Sequence, residues 1–165
     1  MSNQQNTDKT ILLGEAPKAP SGFAFDPEAF STEQIAGAIG VNPRYLYQHF
    51  WVMNVLDTPQ AAKGGGFDRF SKAEAVKRLR STWLPNRRIV CVGKRVADAL
   101  EEFLGVEGIP ENDLHTFYPD RRRADWHLGY IIHPSACREF PRDQNGVALP
   151  QTTQQFLRWA ASLRG

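Results

Sequence analysis

Two short apolar runs end on side chains that could do chemistry. Thr10-Ile-Leu-Leu-Gly14 delivers Glu15-Ala-Pro17, and Gly129-Tyr-Ile-Ile132 delivers His133-Pro-Ser135. A carboxylate and an imidazole are the groups most used to move protons near neutral pH. Each run stops abruptly at glycine, proline or a polar cluster, as a buried strand of a parallel sheet does where it hands the chain to a loop. Ligands of open α/β sheets sit just beyond such strand ends, so residues 14–17 and 133–135 are expected to form one site. A third run, Phe50-Trp-Val-Met-Asn-Val55, is broken only by Asn54. A polar residue there is either a satisfied structural group or a ligand contact.

The elements that must position these residues alternate in type. Residues 1–8 are polar and uncapped and read as a disordered tail, leaving residues 9–165 as a single domain. The first strand covers residues 10–13. Residues 14–27 hold three prolines, two glycines and the pair Phe23 and Phe25 without helical period, the pattern of a long functional loop. Ser31-Thr-Glu-Gln34 and Ser71-Lys-Ala-Glu74 both fit a capping box and open helices, the first ending near Gly40. Asn42-Pro43 restarts a helix through His49. Residues 50–55 form the second strand, and residues 56–70, with Gly64-Gly-Gly66, a flexible connection. The helix after Ser71 places Ala73, Val76, Leu79 and Trp83 on one stripe. Residues 88–92 are the third strand, followed by a helix burying Val96, Leu100, Phe103 and Leu104. Residues 114–118 offer a short extra strand, residues 121–125 a charged turn, and residues 126–132 the fourth strand. The last helix runs over 152–163, with Phe156, Trp159, Ala160 and Leu163 inward. This alternation predicts a three-layer α/β/α sandwich with a mainly parallel four-stranded central sheet.

Composition narrows the function classes. No apolar stretch of these 165 residues approaches the roughly 20 residues needed to span a bilayer. The first residues lack the basic-then-apolar order of a signal peptide, so a cytoplasmic location is expected. Only Cys91 and Cys137 are present, too few for a disulfide scaffold or an all-cysteine metal site. The net charge of +2 is mild, but Arg87-Arg88, Arg121-Arg-Arg123, Arg138 and Arg142 are local basic clusters. They read either as phosphate contacts or as solvated surface. Gly93-Lys94 does not complete a phosphate-loop pattern, since residue 95 is arginine.

Gly14-Glu-Ala-Pro17 and His133-Pro-Ser135, taken together, resemble the two motifs of the uracil-DNA glycosylase superfamily. The first is similar to the form found in its bacterial and archaeal family 4. Three further stretches are similar. Phe25, in Gly22-Phe-Ala-Phe25, falls where that family stacks a phenylalanine on the base. Asn54 falls where a strand-end asparagine reads the uracil edge, and Ile89-Val-Cys-Val-Gly-Lys-Arg-Val-Ala97 looks like the third strand and following helix. Together these span about residues 11–163. The resemblance implies a monomeric DNA glycosylase of that fold, with no cofactor and no metal, acting on uracil or a related modified pyrimidine in single- or double-stranded DNA.

The chemistry has a use for those residue types. Cleaving the N-glycosidic bond expels the base as an anion while the sugar gains oxocarbenium character. His133 would donate to the departing base's O2. The Asn54 amide can donate to O4 and accept from N3–H, a pattern cytosine does not match. Phe25 would stack, while Ala16 and Pro17 would line the base pocket with backbone around Glu15. The target base must be flipped from a duplex, after which residues 136–142 would enter the minor groove, with Arg138 or Phe140 filling the gap. Ser135, Arg138 and Arg142 would contact DNA. Departures from family 4 are the lysine at position 18, the absence of its cluster-binding cysteines, and Lys18-Ala-Pro-Ser21 in place of acidic residues. Water activation is left to Glu15, Asp26 or Asp57. Two other classes remain open: a non-catalytic module of the same fold that binds a base, nucleotide or nucleic acid, and a nucleoside-processing hydrolase.

Overall fold

The computed structural model describes residues 7–16, 24–56, 70–118 and 125–165. Apolar residues at successive positions make strands, and those over 11–14 and 89–92 are buried on both faces. Ile11–Gly14 (β1), Trp51–Asn54 (β2), Arg88–Val92 (β3) and Trp126–Ile131 (β5) run parallel, and His115–Phe117 (β4) joins antiparallel to β5. The strand order is β2-β1-β3-β5-β4. Phe30–Ile39 (α1), Lys72–Leu79 (α2), Lys94–Leu104 (α3) and Gln151–Ser162 (α4) are the helices, with short 3-10 turns at Pro43–Gln48 and Pro134–Cys137.

Alternation along each strand sorts the core into two halves. Leu12, Val90, Val92 and Ile131 pack with Ile35 and Ala36 of α1 and with Phe156, Leu157 and Ala160 of α4. Ile11, Leu13, Ile89, Cys91 and Leu128 face the other way, against Ala75, Val76 and Leu79 of α2 and Val96, Ala97 and Leu100 of α3. Each such buried aliphatic side chain contributes roughly 1.5–3 kcal/mol of transfer free energy. The result is a three-layer α/β arrangement around a mostly parallel, five-stranded mixed sheet.

The sheet therefore has one strand more than the four expected. It is β4, the short extra strand offered at residues 114–118, here three residues long, largely exposed and joined antiparallel at the edge of the sheet. The Ser71 cap forms as read, its hydroxyl accepting from the Glu74 amide at 3.2 Å. The Ser31 capping box does not. α1 begins at Phe30 with no side-chain cap, and Gln34 is buried with its amide spent on the far end of the chain. Its Oε1 accepts from Ala148 N–H at 2.6 Å and its Nε2 donates to the Gly146 carbonyl at 3.1 Å. Two inward stripes also need correction. α2 ends at Leu79 with Ala73 exposed, and Trp83, 67% exposed, meets the edge of Trp51. In α4 the inward positions are Thr153, Phe156, Leu157, Ala160 and Ala161, while Trp159 is 48% exposed. Asp8, read as tail, is held instead, its carbonyl accepting from Arg88 Nη2 at 2.7 Å and from Gly165 N–H at 3.1 Å.

Gly129 shows why a strand can require glycine. The chain at 110–114 crosses β5 there, with Asn112 N–H donating to the Tyr130 carbonyl and Tyr130 N–H to the Pro110 carbonyl. A Cβ on Gly129 would collide with the Asp113 backbone carbonyl. Backbone cannot retreat as a side-chain tip can, so Gly129→Ala is expected to destabilise by about 3 kcal/mol. That corresponds to a melting temperature roughly 10 °C lower in a thermal unfolding scan.

The amino end of the sheet carries a second stability signal. His49 is half-buried close to Arg164 and Lys9, and desolvation first, then those two cations, lower its pKa from the ordinary 6.5. As pH falls through about 6.5 the unfolded chain takes up this proton before the folded one does, so stability declines until the folded value is passed. Thermal melts between pH 7.5 and 5 are expected to show this decline, and His49→Gln to flatten it.

Candidate functional site

β1 and β3 are neighbours, yet the connections that leave them go to opposite faces: β1 is followed by α1 on one side and β3 by α3 on the other. This reversal makes the carboxyl ends of the two strands a topological switch point, the place where open α/β sheets bind ligands in the crevice between diverging connections. The residues on its walls come from four strand ends.

Gly14 closes β1, paired in register with Asn54 at the end of β2. The pairing continues past both strands, with Val55 N–H donating to the Gly14 carbonyl and Leu56 N–H to that of Glu15, each at 2.9 Å. Asn54 and Phe25 then fold over Gly14. A Cβ there would stand 2.5 Å from Asn54 Oδ1 and 3.0 Å from Phe25 Cζ. Phe25 reaches this position with φ of 54°, a left-handed conformation that costs a non-glycine residue about 1–3 kcal/mol. Strain of this kind persists where the surroundings enforce it, and it clusters at ligand sites.

Gly93 plays the matching part after β3. Its φ of 99° and ψ of 148° belong to a region open almost only to glycine, and its N–H donates to the Ile131 carbonyl of β5 at 2.8 Å. A Cβ at Gly93 would stand 3.3 Å from His133 Cβ, 3.4 Å from His133 Cδ2 and 3.5 Å from Glu15 Oε2. The imidazole and the carboxylate expected from sequence to share a site thus meet over one glycine. From β2 to β5 the crevice spans three strand spacings, about 14 Å.

His133 caps the 3-10 turn that begins at Pro134. Its Nδ1 accepts from the Ser135 amide at 3.2 Å, and the Ser135 hydroxyl lies 2.7 Å from the same nitrogen. An Nδ1 that accepts from a backbone N–H is unprotonated, so the neutral ring carries its proton on Nε2. Glu15 is nearly buried and pairs with Arg95 of α3, 3.1 Å from Oε1. Sequence reading placed Arg95 in the family-like stretch over 89–97 but gave it no role, because its partner Glu15 lies 80 residues away.

The other expected site residues divide. Ala16 is half-buried beside Glu15. Asp26 is used locally, its Oδ1 accepting from Glu28 N–H at 2.9 Å and its carbonyl from Ala29 N–H, to turn the chain into α1. Pro17, Asp57 and Arg121–Arg123 lie outside the described residues. Arg138 and Arg142 are exposed and sit over one ring, Phe30, at 4.3 and 5.3 Å from its centroid. The role of Phe30 as a platform for both arginines was likewise invisible in sequence. Asp143 braces the segment after them: the Val147 and Asn145 amides and the Gln154 side chain all donate to its carboxylate. These donors, Val147 first, hold its pKa below the ordinary carboxylate value.

Neither cysteine is a candidate nucleophile. Both are buried, and burial pushes both thiols up, with the Glu101 carboxylate adding to the effect at Cys91. Among the described residues no three His, Cys, Asp or Glu side chains gather as a metal site would need, and no helix is long and apolar enough to cross a membrane. No protein-family model, curated protein or solved structure matches the chain.

Proposed function

We propose that the protein is a DNA glycosylase of uracil-DNA glycosylase type, hydrolysing the N-glycosidic bond of uracil or a related modified pyrimidine flipped out of DNA. The observation that carries this reading is the gathering of Asn54, Phe25, Glu15 and His133 about Gly14 and Gly93 at the mouth between β1 and β3. A flipped pyrimidine stacks on Phe25 and presents O4 and N3–H to the Asn54 amide. His133, with its proton on Nε2, donates to O2 as the C1′–N1 bond breaks and negative charge moves onto the base. Glu15 lies on the sugar side, where its carboxylate stabilises the oxocarbenium and accepts a proton from the attacking water. The hydroxyl of that water bonds to C1′, and the leaving base takes up a proton in its turn.

Of the three acids considered for water activation, Glu15 is the one this reading uses, because it shares the approach to Gly93 with His133. Asp26 caps a turn, and Asp57 lies outside the described residues. The segment after His133 supplies the DNA contact: Arg138 and Arg142 face phosphates from their platform on Phe30, and Phe140, 41% exposed between them, fills the space left by the extruded base. The fold in its uracil-DNA glycosylase form, action as a monomer and independence of cofactors belong to the same proposal.

The test is direct. Single- and double-stranded oligonucleotides bearing uracil, hypoxanthine or hydroxymethyluracil are incubated with the protein and assayed for abasic sites by alkaline cleavage. Strand scission at the modified position is the expected result. Salt-sensitive binding to all of them without base release would replace this reading with that of a binding module.

A further inference from the structure

Glu15 is held in the crevice by a cation that also faces water. Arg95 Nη2 lies 3.1 Å from Glu15 Oε1, and the guanidinium side chain is 48% exposed while the carboxylate side chain is 11% exposed. The second oxygen, Oε2, lies on the Gly93 side, where His133 also packs. Arg95 occupies the first turn of α3 beside Lys94. Cations at that end of a helix are opposed by its dipole, and here each has an acid to offset the cost: Asp98 for Lys94 at 3.1 Å, and Glu15 for Arg95. The side chain also lies near a second surface, its guanidinium carbon 6.0 Å from the centroid of Phe70.

We propose that Arg95 exchanges Glu15 for a backbone phosphodiester of the strand bound at the site, so that docking of nucleic acid releases the carboxylate from its cation. The identity of the bound strand rests on the glycosylase reading. A part-exposed ion pair contributes little net stability, whereas an arginine–phosphate contact can be bidentate and charge-assisted and releases counterions from the strand. The exchange therefore runs toward the phosphate. Its consequence is electrostatic. While Arg95 is in place it cancels much of the field that Glu15 could exert on a developing oxocarbenium; once Arg95 turns to the backbone, that cancellation is lost and the carboxylate acts more strongly on the sugar. Arg95 is then a positioning residue, and binding of the strand switches on the acid that the reaction uses.

The exchange is tested by binding rather than by turnover. Fluorescence anisotropy with a labelled single-stranded oligodeoxynucleotide, titrated over a range of salt, is run on the wild type, Glu15→Gln, Arg95→Gln and the double variant. Glu15→Gln is expected to bind roughly fivefold tighter, because Arg95 no longer has to be drawn from the Glu15 carboxylate. Arg95→Gln is expected to flatten the slope of log affinity against log salt by roughly 0.7, the share of one single-strand phosphate, and Arg95→Lys to restore it. In the double variant the gain from Glu15→Gln disappears. If that gain persists without Arg95, or the salt slope is unchanged in Arg95→Gln, the exchange is overturned. Base release by the wild type, measured in parallel, separates the two ideas. Coupling without base release keeps the exchange and sinks the glycosylase reading; base release without coupling does the reverse; absence of oligonucleotide binding sinks both.

Discussion

Replacing His133 by alanine is expected to slow base release about 100- to 1000-fold, with the fold intact. The ring sits after β5 on a 3-10 turn, packed against Gly93, and its Nδ1 is committed to the Ser135 amide, so its proton is on the nitrogen that can face a leaving base. That donor is preorganised: no solvent has to rearrange around it as charge develops on O2. Its removal should therefore appear in kcat, measured in single-turnover assays on a uracil oligonucleotide, more than in KM. Ser135→Ala provides the internal control. The backbone N–H still orients the ring, so most of the rate should survive. A His133→Ala variant with near wild-type kcat would mean that the imidazole is a structural cap and that another group meets the leaving base.

Gly14→Ala should be nearly as damaging, for a steric reason. A methyl group at this position would fall 2.5 Å from Asn54 Oδ1 and 3.0 Å from Phe25 Cζ. Both are side-chain tips, so both can retreat, and the sheet itself need not move. The fold is expected to tolerate the change, with a melting temperature within a few degrees of wild type. The site would not. Displacing the amide and the stacking ring together by about 1 Å should cost on the order of 100-fold in kcat/KM. The contrast with Gly129→Ala is instructive, because there the obstacle is backbone and the penalty falls on stability. Retained activity in Gly14→Ala would show that neither Asn54 nor Phe25 touches the base.

Local signals account for what could be read from the chain. β3 and the Ser71-capped start of α2 were legible because each is defined by neighbours in sequence: an apolar run stopped by glycine, and a hydroxyl three residues before the amide it caps. The strand-end positions of Glu15, Asn54 and His133 were legible on the same basis. The Ser31 box failed although its pattern was equally good. The Gln34 amide secured two partners more than 110 residues away, and a buried glutamine with both ends satisfied outweighs a cap exposed to water. The inward faces of α2 and α4 were misplaced near their ends, where Trp83 and Trp159 lie at the rim of the layer and size was mistaken for burial.

The amino-acid sequence by itself determined the class of fold, the alternation of strands and helices, and which polar residues would stand at strand ends, because each follows from periodicity and from glycine and proline within a few residues. Only the tertiary structure decided that β4 closes the sheet's edge, that Arg95 pairs with Glu15, that Arg138 and Arg142 share Phe30, and that Gly14 and Gly93 are the two floors on which four distant side chains meet. Those contacts join residues far apart along the chain, and their partners are chosen by which strands neighbour one another. No local pattern records that choice.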